Sequence, residues 1–171
     1  FTIPKQFKDN PTFTEDGRRF PGLNYCCYFE EDLQVGYRYY DHPVNRQKVM
    51  YPFGYGLSYT TFEVEGKSCT PQVFQRSQIE NAKIKIAVKV KNLGSFEAAN
   101  VVQIYVHNLN SKSNSIVHPV KELKAFQKVW VKCKESKDIV IVLDVKKAFE
   151  FFNDNLDTWV VEGGRYTVSV A

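Results

Sequence analysis

The ten residues KIKIAVKVKN, from Lys83 to Asn92, constrain this chain more than any other stretch. Ile84, Ile86, Val88 and Val90 alternate there with Lys83, Lys85, Lys89 and Lys91, and Ala87 alone breaks the polar set. A period of two is that of a β-strand, so one face belongs in a core and the other in water. Similar short stretches follow: NVVQIYVHN, ELKAFQKVWVK, KDIVIVLDV and GGRYTVSVA. In the first, Val102, Ile104 and Val106 share one face and Gln103, Tyr105 and His107 the other; in the last, Tyr166, Val168 and Val170 align. Five or more short strands with polar turns, and no ten-residue helical pattern, predict an antiparallel β-sandwich. The lysines are expected to guard a sheet edge against strand-to-strand aggregation.

Residues 1–50 have a different texture. Pro4, Pro11, Pro21 and Pro43 recur, Gly17 and Gly22 mark turns, and no apolar run reaches helical length. Only LQVGYRYYD reads as extended, with aromatic and β-branched residues around Gly36. This segment is expected to be a long tail wrapped over another body. The chain opens at Phe1, and its single methionine is Met50, so it is read as a piece of a longer polypeptide.

At 171 residues, 43% apolar and 15% aromatic, the chain can bury a sizeable core. Its 23 basic against 19 acidic residues give +4 without a dense basic cluster, so a nucleic-acid partner is not expected. No apolar run approaches the roughly 18 residues of a membrane helix, so the chain reads as soluble, with no membrane partner.

Between the two textures lies YPFGYGLSYTTF, Tyr51 to Phe62, with five aromatic rings, two glycines and a proline. A dinucleotide fingerprint on Gly54 and Gly56 needs a third glycine where Tyr59 stands. A nucleophile elbow at Ser58 needs glycine where Thr60 stands. What remains is a ring-rich turn whose glycines let the backbone pass under neighbouring side chains, before a strand that starts in SYTTFEV. The stretch is read as a joint between two packing units.

Glycoside hydrolysis needs two carboxylates flanking the scissile bond. Glu30, Glu31 and Asp32 are the candidates, though three consecutive acids read better as a solvated turn. His42, His107 and His118 lack metal-ligand spacing and read as surface or half-buried polar residues. Trp130 and Trp159 are expected in a core or interface, with stacking on sugar rings as the alternative. Cys26, Cys27, Cys69 and Cys133 lack C-x-x-C spacing and are expected to be free, buried thiols; a disulfide from the Cys26–Cys27 pair to Cys69 is the alternative.

Five collinear motifs then align with something known. VGYRYYD (35–41), YPFGYGLSYTTFE (51–63), VKNLGSFEAANVVQIYV (90–106), HPVKELKAFQKV (118–129) and WVVEGGRYTVSV (159–170) resemble the C-terminal part of glycoside hydrolase family 3 enzymes. The resemblance covers nearly the whole chain, and the first two motifs look more like the β-glucosidase branch than the β-xylosidase branch. It implies a parent that hydrolyses terminal, non-reducing β-D-glucosyl residues with retention, through an aspartate nucleophile on a barrel domain and a glutamate acid/base on an α/β sandwich domain. Both would lie upstream of Phe1. Residues 1–58 would then be the last strand and wrapping tail of the α/β domain, and 59–171 an immunoglobulin-like, fibronectin-type-III-like β-sandwich.

By this resemblance the chain holds no catalytic, cofactor-binding or metal-binding residue and takes no cofactor. Neither Glu31 nor Asp144 stands in for the missing carboxylates. Its partners are the upstream barrel and α/β domains and the β-glucoside or oligosaccharide substrate, and the parent is expected to be extracellular. Departures from the family pattern are local: FEED with Glu30 for a usual glycine, Ala98 and Asn100 for a usual glycine and glutamate, and CKE at Cys133 to Glu135 for a frequent PGE turn. The other reading is a non-catalytic module that binds carbohydrate or a partner chain through Trp130, Trp159 or Tyr105.

Overall fold

The computed structural model describes residues 1–20, 22–28, 31, 33–109 and 118–171. Its elements in chain order are strands β1 (Ile3–Pro4), β2 (Val49–Tyr51), β3 (Phe62–Thr70), β4 (Lys83–Asn92), β5 (Ala98–Asn108), β6 (Glu122–Val131), β7 (Ser136–Asp144), β8 (Phe151–Asn153), β9 (Thr158–Val160) and β10 (Tyr166–Val170). Two five-residue helices join them, α1 (Tyr37–Asp41) and α2 (Val145–Phe149). The chain divides into two compact units, one of residues 1–56 with 118–121 and one of residues 57–109 with 122–171.

The second unit is mainly β, with every strand pair antiparallel. Two three-stranded sheets run in the orders β3–β4–β7 and β10–β5–β6, and β8 pairs with β9 in a hairpin. The alternation in β4 does what its period requires: Ile84, Ile86, Val88 and Val90 are at most 2% exposed. They pack with Ile139, Ile141 and Leu143 of β7, Val102, Ile104 and Val106 of β5, and Val129 and Val131 of β6. Apolar inner faces of the two sheets thereby share one core. Helix α2 adds Val145 and Ala148 to it. Strand β3 begins at Phe62, after the SYTT that precedes it in sequence.

The lysines of β4 are not at an edge. Its neighbours β3 and β7 occupy both sides, so Lys83, Lys85, Lys89 and Lys91 line a sheet face. The correction has a simple cause, since alternation reports which face a residue takes and says nothing about strand order.

In the first unit, β1 and β2 pair through Ile3 opposite Tyr51 and Pro4 opposite Val49. Most of the remainder is turns, as its prolines dictate. The stretch read as extended is partly helical instead: Gly36, at φ 63°, reverses the chain and Tyr37–Asp41 form α1. A helix of five residues is too short to display a 3.6-residue pattern, and its tyrosines mimic strand composition. Tyr40 and Pro119 are the buried apolar side chains among this unit's described residues. The Tyr40 hydroxyl donates to the Asp9 carbonyl at 3.1 Å, tying positions 31 residues apart.

All four cysteines are free, and Cys26, Cys27 and Cys133 are exposed, with Cys69 half-buried. The expected burial therefore fails for three of them, and no disulfide links the pair to Cys69. Cys26 closes a tight turn whose backbone bonds to Leu23 run both ways, at 2.8 and 2.9 Å, leaving both thiols at the surface. Trp130 and Trp159 are 58% and 60% exposed, so neither lies in the core. Trp130 follows Val129 along β6 and must take the opposite, outer face.

Candidate functional site

The richest side-chain constellation lies in the first unit, around α1 and the residues after β2. Tyr37 and Phe53 stack at 4.9 Å with planes 39° apart, and Tyr51 and Tyr55 meet at 4.9 Å and 38°. Such tilted pairs avoid the face-to-face sandwich that ring quadrupoles disfavour. Lys48 Nζ donates to the Tyr39 hydroxyl at 3.3 Å and lies 5.5 Å from that ring's centre, while Arg38 lies 6.0 Å from the Tyr37 ring. Gly54, at φ 83°, makes the turn between the rings. Gly56 does not serve the expected close approach, because a Cβ there would meet nothing within 4 Å.

Asp41 ends α1 and pairs with Lys121 at 3.4 Å. Burial pushes its carboxyl above the usual carboxylate range, against the opposing pull of Lys121 and Arg46. The sequence gives no local signal for this pair, because its members are eighty positions apart. Burial likewise raises the Tyr40 phenol.

Of the acidic triplet, Glu30 and Asp32 lie outside the described residues. Glu31 is half-buried, and its Oε2 meets no hydrogen-bond donor. Asp144 is exposed and 3.9 Å from Lys83, a pair on the sheet face. Ser58 is exposed, and its hydroxyl accepts the Thr60 N–H at 3.3 Å, which spends the oxygen on a local turn. His42 is exposed and His107 and His118 are half-buried, and no group of three metal-ligating side chains occurs among the described residues.

A depression of about 160 Å³ is lined by Glu63, Glu65, Lys89 and Lys91 on β3 and β4. Two carboxylates in one hollow invite a glycosidase reading, but a general acid must hold its proton near neutral pH. Glu65 moves the other way, held below the usual range by its hydrogen bond to Lys67 and by the charges of Lys67 and Lys89. The hollow is a seam between strands whose register sets Glu63 opposite Lys91 and Glu65 opposite Lys89.

The arrangement thus offers ring surface and charges that are only partly paired, and among the described residues no nucleophile stands beside a base. A fibronectin type III-like domain model matches residues 100–171. Across 98% of its length the chain is 44% identical to a β-glucosidase of Kluyveromyces marxianus, and across 99% it is 37% identical to thermostable β-glucosidase B of Acetivibrio thermocellus. Solved structures agree: the K. marxianus β-glucosidase in complex with glucose superposes over 99% of the chain with a TM-score of 0.83 at 40% identity. The GH3 β-glucosidase of Bifidobacterium adolescentis does so with a TM-score of 0.80 at 35% identity.

The chain belongs to glycoside hydrolase family 3.

It matches the C-terminal, fibronectin-like region of that family's β-glucosidases, and it spans 18% and 20% of the two curated relatives and 18% and 23% of the two solved chains. The family motifs acquire local reasons in this structure. VKNLGS carries Asn92 and Gly94, which lock the end of β4, and GYRYYD is α1 with its buried Tyr40. No helix among the described residues is long and apolar enough to cross a membrane.

Proposed function

We propose that this chain is the mainly structural, C-terminal part of a retaining β-glucosidase that hydrolyses terminal, non-reducing β-D-glucosyl residues. The observation that carries the reading is 44% identity over almost the whole chain to a β-glucosidase of which the chain spans only 18%. The nucleophile Asp and the acid/base Glu belong to the portion upstream of Phe1, on barrel and α/β domains. Residues 1–58 complete the α/β domain, and residues 59–171 form the fibronectin-type-III-like sandwich. The role of both is to hold catalytic groups carried elsewhere in productive geometry, which needs rigid support. Support for this division of labour comes from the first unit's composition: half-exposed Tyr51 and Tyr55, with only Tyr40 and Pro119 buried among the apolar side chains of its described residues, fit a tail that lies on another body.

The test is hydrolysis of an aryl β-glucoside by the 171-residue chain and by the full-length enzyme. The chain alone should be inactive and the full-length enzyme active with net retention; activity in the chain, or none in the full-length protein, overturns the reading. The parent is proposed to act outside the cell. Exposed Cys26, Cys27 and Cys133 make that part the easiest to refute, because free surface thiols suit a reducing compartment, and fractionation decides it.

A second reading, a carbohydrate-binding module, has one observation in its favour: Trp130 and Trp159 are exposed. Against it, Tyr105 is buried, and Trp159 meets Phe152 edge-on at 5.7 Å on a hairpin separate from the sheet that bears Trp130. Retention of the chain on insoluble β-glucan, lost in Trp159→Ala, would support it.

A further inference from the structure

The outer faces of the two sheets differ in their charge and their rings, although β7 also exposes Val140 and Val142 on the charged one. On β3–β4–β7 the register sets Glu63 opposite Lys91, Lys89 between Glu65 and Asp138, and Lys83 opposite Asp144. Opposite charges directly across strands stabilise one another and keep that face suited to water. On β5 and β6 the register sets Trp130 opposite Ala99, Lys128 opposite Val101 and Phe126 opposite Gln103. Phe126, Trp130 and Val101 are 68%, 58% and 42% exposed, and these three rows contain no acidic residue. Two aromatic rings about 13 Å apart along a strand, with a lysine between them, have the composition of an interface centre.

We propose that this outer face of β5 and β6 docks on the remaining part of the same β-glucosidase polypeptide, at a surface that is apolar opposite Phe126 and Trp130 and acidic opposite Lys128. The inference rests on the reading of the chain as one part of a larger enzyme. Three observations select the occupant. About four-fifths of each relative's chain lies outside the region matched, so a covering body of the right scale exists in such a protein. Lys128 Nζ lies 5.5 Å from the centre of the Trp130 ring and occupies a π-face on which a sugar would stack. A two-fold interface with a second copy must be self-complementary, and a face with Lys128 and no carboxylate offers its copy no counter-charge.

The experiment compares the 171-residue chain with the full-length enzyme in two measurements. In amine labelling read by mass spectrometry, Lys128 should react readily in the chain and lose its labelling in the full-length enzyme, while Lys85 on the opposite sheet reacts in both. In thermal unfolding, Phe126→Thr with Trp130→Thr should lower the midpoint of the full-length enzyme and leave that of the chain unchanged. Equal labelling of Lys128 in the two proteins overturns the proposal. So does a concentration-dependent dimer of the chain that the double substitution dissolves, or binding of the chain to β-glucan that Trp130→Thr abolishes. Full-length protein that does not hydrolyse a β-glucoside sinks the underlying reading, whereas an active enzyme with an unprotected Lys128 sinks this inference alone.

Discussion

Asn92 shows how one polar side chain can hold a sandwich end together. By parity it belongs to the inner face of β4, after Ile84, Ile86, Val88 and Val90, and it is fully buried. Its Oδ1 accepts from the Thr60 hydroxyl at 2.5 Å and the Gly94 N–H at 3.0 Å, and its Nδ2 donates to the Phe96 and Val131 carbonyls at 2.7 and 3.1 Å. All four bonding positions of the amide are filled, joining the approach to β3, the β4–β5 turn and the end of β6. Asn92→Leu keeps the volume and strands these partners, so urea unfolding of the chain should show a loss of about 2 to 4 kcal/mol. Gly94→Ala attacks the same node, since a Cβ there would fall 2.0 Å from Thr60 Oγ1 and 3.1 Å from Thr60 Cα, and a backbone atom cannot rotate away. Its midpoint should fall as well. Tyr166 sets a pH limit: its hydroxyl donates to the Glu162 carbonyl at 2.8 Å, and burial chiefly pushes its pKa up to about 12 from an ordinary value of 10. Between those values the unfolded chain releases the phenol proton and the folded chain keeps it, so this contribution to stability is intact below pH 10 and is lost as pH rises toward 12. Denaturant midpoints from pH 9 to pH 12 should fall less steeply in Tyr166→Phe than in the natural chain.

At the scale of elements, strand β4 sits at the centre of an electrostatic ladder that its sequence half reveals. Lys89 lies between Glu65 and Asp138, whereas Lys85 lies between Thr70 and Val142. Lys89→Glu therefore puts like charges opposite on both sides, and Lys85→Glu meets no acid in its row. The first should lower the urea midpoint more than the second, and the gap should shrink at high salt as screening shortens the range of charge. Equal effects of the two substitutions would show that the ladder contributes nothing. The alternation of β4, β5 and β10 was legible because burial on one face selects one residue in two along the chain. Sheet order was not legible, since partners are set by contacts between distant segments, and lysines that read as edge protection line a central strand. Helix α1 was hidden by its length and its tyrosines, and the exposure of Cys26 and Cys27 by a turn whose residues Asn24 and Tyr25 both take positive φ. Such a conformation is uncommon for non-glycine residues and carries no sequence flag here. Candidate residues fared by the same rule: the exposure of Ser58 and His42 follows from local turns, while the pairing of Asp41 with Lys121 required the fold.

The whole molecule is uneven in a way that predicts how its parts behave alone. In the first unit Thr2 Oγ1, Glu31 Oε2, Gln34 Oε1 and Asp41 Oδ2 are buried without a hydrogen-bond partner; among the described residues of the second unit no side-chain nitrogen or oxygen is left so. The same imbalance holds for apolar burial, where Tyr40 and Pro119 stand against a core drawn from four strands and α2. A segment of this size with almost no buried apolar surface cannot offset the entropy of ordering its backbone, and each orphaned buried polar atom adds a further cost. Residues 57–171 expressed alone should therefore unfold in one cooperative transition, with slow amide exchange in β4, β5 and β7. Residues 1–56 alone should show no transition and exchange without protection. In the full-length β-glucosidase the amides of α1 should become protected, because the proposed function gives this tail an upstream body that supplies both apolar cover and the missing donors. Cooperative folding of residues 1–56 in isolation would defeat that account of why so ring-rich a segment keeps its rings at the surface.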